Sequence, residues 1–391
     1  MSALNPKQIK LGYLWFQTGV NGLNVATMFF AAFSSMAMIS FMSFMQPYVL
    51  TEILNVPIAQ QGSLTGNLHA AQEVIYIFLA GFVGSISDKF GRPLIFSLGF
   101  IAVAIGYALY PLANSVEQLY LLRAVYAVGV TGVTIMLSAC IVDYIQERSR
   151  GRWVGTTSIF NGLGILSMSF LLAKLPAYFQ SAGQDAITSG RYAFWTVSCL
   201  CLIIAAILLK GLYRGPAVEK KTESIIKQTI QGLRIGKNNP RLAIAYGGAF
   251  IGRGDFNVIG TFFSLWLTQE GISRGMTTAE ALAIAGPLFG LIQLCALVWA
   301  PVMGFITDRL NRLSATILGL AIAGTGYLLM SQVSDPFSSE IYLAGLILGM
   351  GETSVIVSVA GLLGQECDKE YRGSIVGVFG GFGGLGILMT S

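Results

Sequence analysis

Apolar residues run along this chain in long stretches separated by short polar joints. The stretches occupy residues 26–50, 62–86, 94–112, 117–145, 152–173, 191–212, 242–267, 281–306, 313–332 and 340–365. A bilayer core about 30 Å thick takes about 20 helical residues to cross. Each stretch therefore predicts one transmembrane helix. An eleventh begins near Gly373 and is still apolar at Ser391. One long hydrophilic segment, 210–241, follows the sixth stretch and holds an amphipathic run, SIIKQTIQGLRI. The pattern predicts an all-α membrane protein with a six-helix half at 1–209, a linker at 210–241 and a second half at 242–391.

The two halves resemble each other in sequence. Tyr120–Gly151 and Tyr342–Gly373 align without a gap at an offset of 222, matching Tyr120 with Tyr342, Gly129 with Gly351, and Arg150-Gly151 with Arg372-Gly373. A second pair, Gly84–Arg92 (GSISDKFGR) and Gly304–Arg312 (GFITDRLNR), aligns at an offset of 220. An offset of six spans keeps both copies in one orientation, so the repeats are parallel. Such a plan places a solute path at the interface of the halves, near the membrane midplane.

Composition agrees. Mean hydropathy is +0.68 and only 11% of residues are charged, against roughly 25% in a soluble domain. With the N-terminus inside, 19 of the 24 Lys+Arg fall on cytoplasmic segments: Lys7, Lys10, Lys89, Arg92, Arg148, Arg150, Arg152, Arg309, Arg312, Lys369, Arg372 and eight in 210–241. The opposite loops hold only Lys174 and Arg274. This positive-inside bias predicts a multi-pass protein of the cytoplasmic (inner) membrane with a cytoplasmic N-terminus. Scattered loop cations give no nucleic-acid face, and the N-terminus has no apolar core before a cleavage site that would mark a signal peptide. All five cysteines lie in or beside apolar spans without metal-ligand spacing, so they read as small buried hydrophobes. One histidine, no nucleophile constellation and no GxxxxGK[ST] loop leave no expectation of an enzyme, a cofactor or ATP-driven pumping.

Gly84-x-x-x-Asp88-Lys89-x-Gly91-Arg92 resembles the signature loop between the second and third helices of the major facilitator superfamily (MFS), with a decayed copy at Asp308 and Arg312. Arg123 with Gly129 partly resembles the family's fourth-helix motif. Pro93 and Leu313 stand where a further basic residue is common, and the fifth span lacks the Gly-Pro pattern of drug/proton antiporters. The resemblance implies two pseudo-symmetric six-helix bundles. About eleven of the family's twelve spans are visible here, which points to truncation before the twelfth. Gly84 would let two helices approach closely, and Asp88 could face a helix N-terminus. Arg92 is placed to pair with Asp143 at the end of the fourth span. The resemblance implies that this pair latches the inward mouth and breaks as the halves rock.

Ionisable residues inside a membrane cost at least about 2.5–3.5 kcal/mol each, so the few present are candidates for function. His69, Gln72, Glu73 and Tyr76 share one helical face, and Glu73 could carry a proton. His69 reads more simply as a structural histidine. Arg123, near the outer end of its span, could take part in coupling or snorkel to the headgroups. In the seventh span Arg253, Asn257, Gly260, Thr261, Ser264 and Thr268 form a polar stripe. Asp255 points about 200° away from Arg253 on a regular helix, so both could line one cavity only if Gly252 and Gly254 break it. Glu352 has Val130 as its repeat equivalent and is a second candidate proton carrier.

These features predict a proton-coupled secondary transporter of a small organic solute, acting as a functional monomer in the lipid bilayer. The alternatives are an amphipathic drug or metabolite efflux antiporter, or a non-transporting receptor or scaffold on the same fold.

Overall fold

The computed structural model describes residues 9–11, 14–146, 149–214, 225–367 and 371–391. The basic residues Lys7, Arg148 and Lys369 lie outside them. The described chain is helical apart from one N-terminal hairpin, β1 (Ile9–Leu11) paired antiparallel with β2 (Leu14–Phe16). Helix α1 (Gly22–Tyr48) runs into a π turn at Val49–Ile53. It is followed by α2 (Ile58–Phe90), α3 (Arg92–Leu109), α4 (Val116–Asp143) and α5 (Arg150–Phe170). A short α6 (Leu175–Ser181) leads into α7 (Ala186–Gly211), and α8 (Ile225–Asn238) is the amphipathic helix expected in the linker. Then come α9 (Pro240–Asn257), α10 (Phe263–Ser273), α11 (Thr278–Arg309), α12 (Arg312–Gln332), α13 (Glu340–Glu366) and α14 (Arg372–Thr390).

Among the described residues nine helical segments are long and apolar enough to cross a membrane. Two expected spans differ. The seventh is divided into α9 and α10 by a π turn at Val258–Phe262, and the eleventh is the shorter apolar helix Ser374–Thr390.

The chain forms two compact units. One comprises Met1–Val56 and Val74–Glu219, the other Pro57–Glu73 and Lys220–Ser391. Residues 57–73, the first half of α2, are thus counted with the second unit, to which Gln269 ties them through the Ile58 carbonyl at 3.3 Å.

The sequence repeat has a physical basis in helix packing. In the first unit α3 lies on α4 through glycines. A Cβ added at Gly99 would meet Gly132 C at 3.1 Å, one at Gly106 would meet Tyr126 Cα at 2.9 Å, and one at Gly129 would meet Val103 N at 2.5 Å. In the second unit α12 lies on α13 in the same way: Gly319 faces Ser354 O at 2.9 Å, Gly326 faces Leu348 Cα at 2.6 Å, and Gly351 faces Ala323 N at 2.6 Å. Each contact maps onto its counterpart at the offsets of 220 and 222 read from the sequence. In lipid, where apolar side chains gain nothing by leaving water, close backbone approach of this kind is a main source of helix association.

Outside the helices, Arg274 ties two loops together. Its guanidinium lies 2.8 Å from Asp335 and 2.8 Å from Glu270 and sits over the Phe337 ring at 5.1 Å. The hydrogen bond from Arg274, with one from the Phe337 N–H, holds the Asp335 carboxyl below its ordinary range. A carboxyl lowered in this way stabilises the fold at neutral pH and loses its contribution as pH falls through the lowered value.

Candidate functional site

The signature loop begins with the turn from α2 into α3. Gly91 adopts φ +91°, a left-handed conformation that costs a side-chain-bearing residue about 1–2 kcal/mol. That turn sets Arg92 at the first position of α3, with Pro93 behind it. Arg92 Nη2 lies 2.8 Å from Asp88 Oδ1, and Nε lies 2.9 Å from Asp143 Oδ2. A further nitrogen donates to the Ser87 hydroxyl, which itself donates to the Gly84 carbonyl at 2.7 Å. One guanidinium therefore joins the end of α2 to the end of α4. All three charged groups are partly exposed, so each pair contributes about 0–1 kcal/mol. A contact of that size can form and break without a large barrier.

Asp88 meets Arg92 one turn along, at the first position of α3. Within its own unit Gly84 has no close neighbour, since a Cβ there would meet nothing within 4 Å, and the close approaches of that unit include those between α3 and α4.

In the repeat copy, Arg312 Nη1 donates to the Gly361 carbonyl at 2.5 Å. The position matching Asp143 is Gln365, and the acid one residue on, Glu366, pairs with Arg241 at 3.4 Å. Asp308 is exposed and forms no ion pair among the described residues. Among the described residues the second unit thus keeps the arginine without its charge bridge.

Arg123 does not snorkel. It is 1% exposed inside the first unit. Its Nη1 donates to Gln46 Oε1 at 3.3 Å, and its guanidinium stands 5.3 Å from the Tyr126 ring centre and 6.0 Å from that of Tyr110. Tyr110 also donates to Gln46 at 2.7 Å. A desolvated cation over aromatic faces gains about 2 kcal/mol or more, which with the Gln46 hydrogen bond offsets part of the cost of leaving water.

The remaining candidates lie in the second unit and fall into two groups. In the first, Glu73 is 7% exposed with Arg253 within electrostatic reach. His69, one turn earlier, lies 3.3 Å from the Thr261 hydroxyl in the π turn. Arg253 is more exposed than either and lies across Gly383 of α14, where a Cβ would strike its side-chain carbons. The second group is buried. Asp255, 5% exposed, accepts a hydrogen bond from the Tyr327 hydroxyl of α12. Glu352 on α13, 3% exposed, has Gln293 of α11 at 3.5 Å and Asp255 within electrostatic reach.

Arg253 and Asp255 therefore diverge, and the expected break at Gly252 and Gly254 is absent. Helix α9 passes through both glycines, which serve packing: a Cβ at Gly254 would meet Gly386 O at 3.0 Å and one at Gly252 would meet Val355 at 3.3 Å. The irregularity comes later, in the π turn. Thr261, Ser264 and Thr268 of the stripe are buried, and Thr268 returns its hydroxyl to the Ser264 carbonyl at 2.7 Å. The side chain of Asn257 lies outside the described residues. Gln293 and Tyr327, the partners of the buried acids, were missed from sequence. Gln293 stands alone as an amide in an otherwise apolar eighth span and could have been noticed on that ground.

Known proteins place this arrangement in a family. The chain is 25% identical over 355 residues to the magnetosome protein MamH of Paramagnetospirillum magneticum, covering 88% of this chain and 79% of that one. Its fold is similar to a crystal structure of the D323A mutant of the nucleoside transporter NupG, with a TM-score of 0.72, 13% identity and coverage of 94% and 89%. It is similar also to that of a D-xylose–proton symporter, with a TM-score of 0.63, 17% identity and coverage of 94% and 87%. The sequence profile of the Major Facilitator Superfamily matches residues 28–391, nearly the whole chain. This multi-pass membrane protein belongs to the Major Facilitator Superfamily of transporters.

Proposed function

We propose that the protein is a proton-coupled secondary active transporter that moves a small organic solute across the cytoplasmic membrane by alternating access. The observation that carries this reading is the pair of buried carboxyls in the second unit, Asp255 and Glu352. Their hydrogen-bonding neighbours are the neutral groups Tyr327 and Gln293. An ionised group within a membrane is costly, and a single proton removes the charge of a carboxyl. Glu73 has the Arg253 cation nearby, so its charge is compensated without a proton. The proton therefore goes to the Asp255–Glu352 pair, and Arg253 with Glu73 faces the solute. The Arg92–Asp143 pair is the cytoplasmic latch, with the N-terminus on the cytoplasmic side.

The test begins with a panel of nucleosides, sugars and carboxylates screened by thermal stabilisation of the purified protein. A solute at about 100 times its Kd adds about 2.7 kcal/mol to stability. Flux of the stabilising solute is then measured in liposomes with and without a pH gradient. Flux indifferent to the gradient removes proton coupling. A panel without any stabilising solute, together with full charge pairing of both acids, favours a receptor instead.

The latch has its own expected outcome. Arg92→Ala slows exchange of solute across liposomes while leaving equilibrium binding within about twofold, because it removes only weak surface pairs. Arg312→Ala, at a position without a charge bridge among the described residues, slows exchange less. Arg253→Ala weakens binding itself. Equal slowing by Arg92→Ala and Arg312→Ala would refute the asymmetry.

A further inference from the structure

The N-terminal hairpin is not a free tail. Phe16 forms an antiparallel bridge with Ile145, in the loop between α4 and α5. Gln17 N donates to Tyr144 O at 3.0 Å, and Gln146 N donates to Trp15 O at 3.0 Å. The Gln146 side chain adds a bond to Phe16 O at 2.7 Å, and Trp15 N donates to the Ser149 hydroxyl at 3.2 Å. Residues 144–146 are thus bridged antiparallel to residues 15–17, and Phe16 is fully buried against Trp153 at 5.3 Å.

A second group of contacts locks this bridged segment to the residues just after α7. Tyr213 N donates to the Tyr144 hydroxyl at 2.7 Å, and the Tyr213 hydroxyl donates to Thr18 O at 2.9 Å. The next residue, Gly19, has φ +94°, and a Cβ there would meet the Tyr213 oxygen at 2.9 Å and its ring at 3.1 Å. Only glycine fits that position in both respects. These contacts converge on Tyr144, the residue after Asp143. With Ser87, Asp88 and Arg92, they wall a cavity of about 680 Å³.

We propose that residues 14–19 and Tyr213 form a strap that positions Asp143 for its pair with Arg92. The inference rests on the latch reading above. A loop leaving a helix end carries backbone groups that the helix does not satisfy. Here the strap satisfies them, and so fixes the last turn of α4 and the carboxylate on it. Without the strap, water takes over those bonds and Asp143 loses its fixed place. The strap bonds given above join it to Tyr144, Gln146 and Ser149 and not to the latch charges, so the strap acts through position.

Cys140 provides a reporter. It is fully buried one turn before Asp143, within electrostatic reach of both latch charges. The full chain with Cys199, Cys201, Cys295 and Cys367 replaced by serine is reconstituted in nanodiscs. The rate of Cys140 labelling by N-ethylmaleimide is then measured. Gly19→Ala and Tyr213→Phe each raise that rate several-fold, as does Arg92→Ala. Adding Tyr213→Phe to Arg92→Ala raises it no further, which a merely structural role would not produce. Tyr213→Phe removes one hydroxyl and keeps the backbone bond to Tyr144, so it reports even if Gly19→Ala fails to fold. Labelling raised by Arg92→Ala but not by Tyr213→Phe, or raised additively by the two, overturns the strap and leaves the latch. Labelling unchanged in Arg92→Ala overturns the latch and the strap with it.

Discussion

Glu352→Gln abolishes accumulation driven by a pH gradient while leaving solute binding close to wild type. Glutamine keeps the size of the side chain and its contact with Gln293 while removing the ability to exchange a proton. The site is buried, and Asp255, the other member of the pair, is already engaged by the Tyr327 hydroxyl, so Glu352 is the member from which proton exchange is lost. The charge that an ionised carboxylate would carry into the interior also disappears, so the variant folds at least as well. One pH unit supplies about 1.4 kcal/mol per proton, or about tenfold accumulation. An uncoupled variant loses that factor for each unit of gradient, and counterflow without a gradient continues. Liposome uptake at two gradients reads both. If Glu73→Gln abolishes the driven component and Glu352→Gln spares it, the proton belongs to the other group of residues.

Gly351→Ala is expected to have the largest effect on folding. The added methyl would meet Ala323 N at 2.6 Å. That neighbour is backbone, so it cannot turn aside as a side-chain tip would. Helices α12 and α13 must separate, and overpacking of this kind costs about 1–3 kcal/mol. Gly129→Ala should do the same to α3 and α4, where Val103 N is at 2.5 Å. Gly364→Ala, on the same helix as Gly351 but with nothing within 4 Å, is the control. The yield of monodisperse protein and its melting temperature separate the two classes. A melting temperature of Gly351→Ala equal to that of Gly364→Ala would remove the glycine contact as the reason for the repeat.

What could be read from sequence depended on the range of the interaction involved. Span positions follow from runs of apolar residues, a local property, and the helices fall on them. The repeat is also a linear pattern, and its glycines turned out to be the contact points of equivalent helix pairs. The bridge from Arg92 to Asp143 was accessible because the helix ends in question had known positions. Three-dimensional partners were harder. Nothing in the linear order of Gly252-Arg253-Gly254-Asp255 distinguishes glycines that break a helix from glycines that seat it against α14 and α13. Arg123 reads as a residue near a membrane surface until Tyr110, Tyr126 and Gln46 are brought around it from α1, α4 and the turn after α3. The N-terminal hairpin escaped notice because three-residue strands leave no periodicity to detect.

The π turn at Val258–Phe262 gives the seventh span a property that its neighbours in the second unit do not share among the described residues. A π turn holds about one residue more than the α-helix on either side, and one residue corresponds to about 100° of rotation. The stripe drawn on an ideal helix from Arg253 to Thr268 is therefore out of phase across the turn. The same surplus residue is a store of twist. Passing it along the rod would screw residues 263–273 about their own axis without breaking the span, and would change what meets His69 at Thr261.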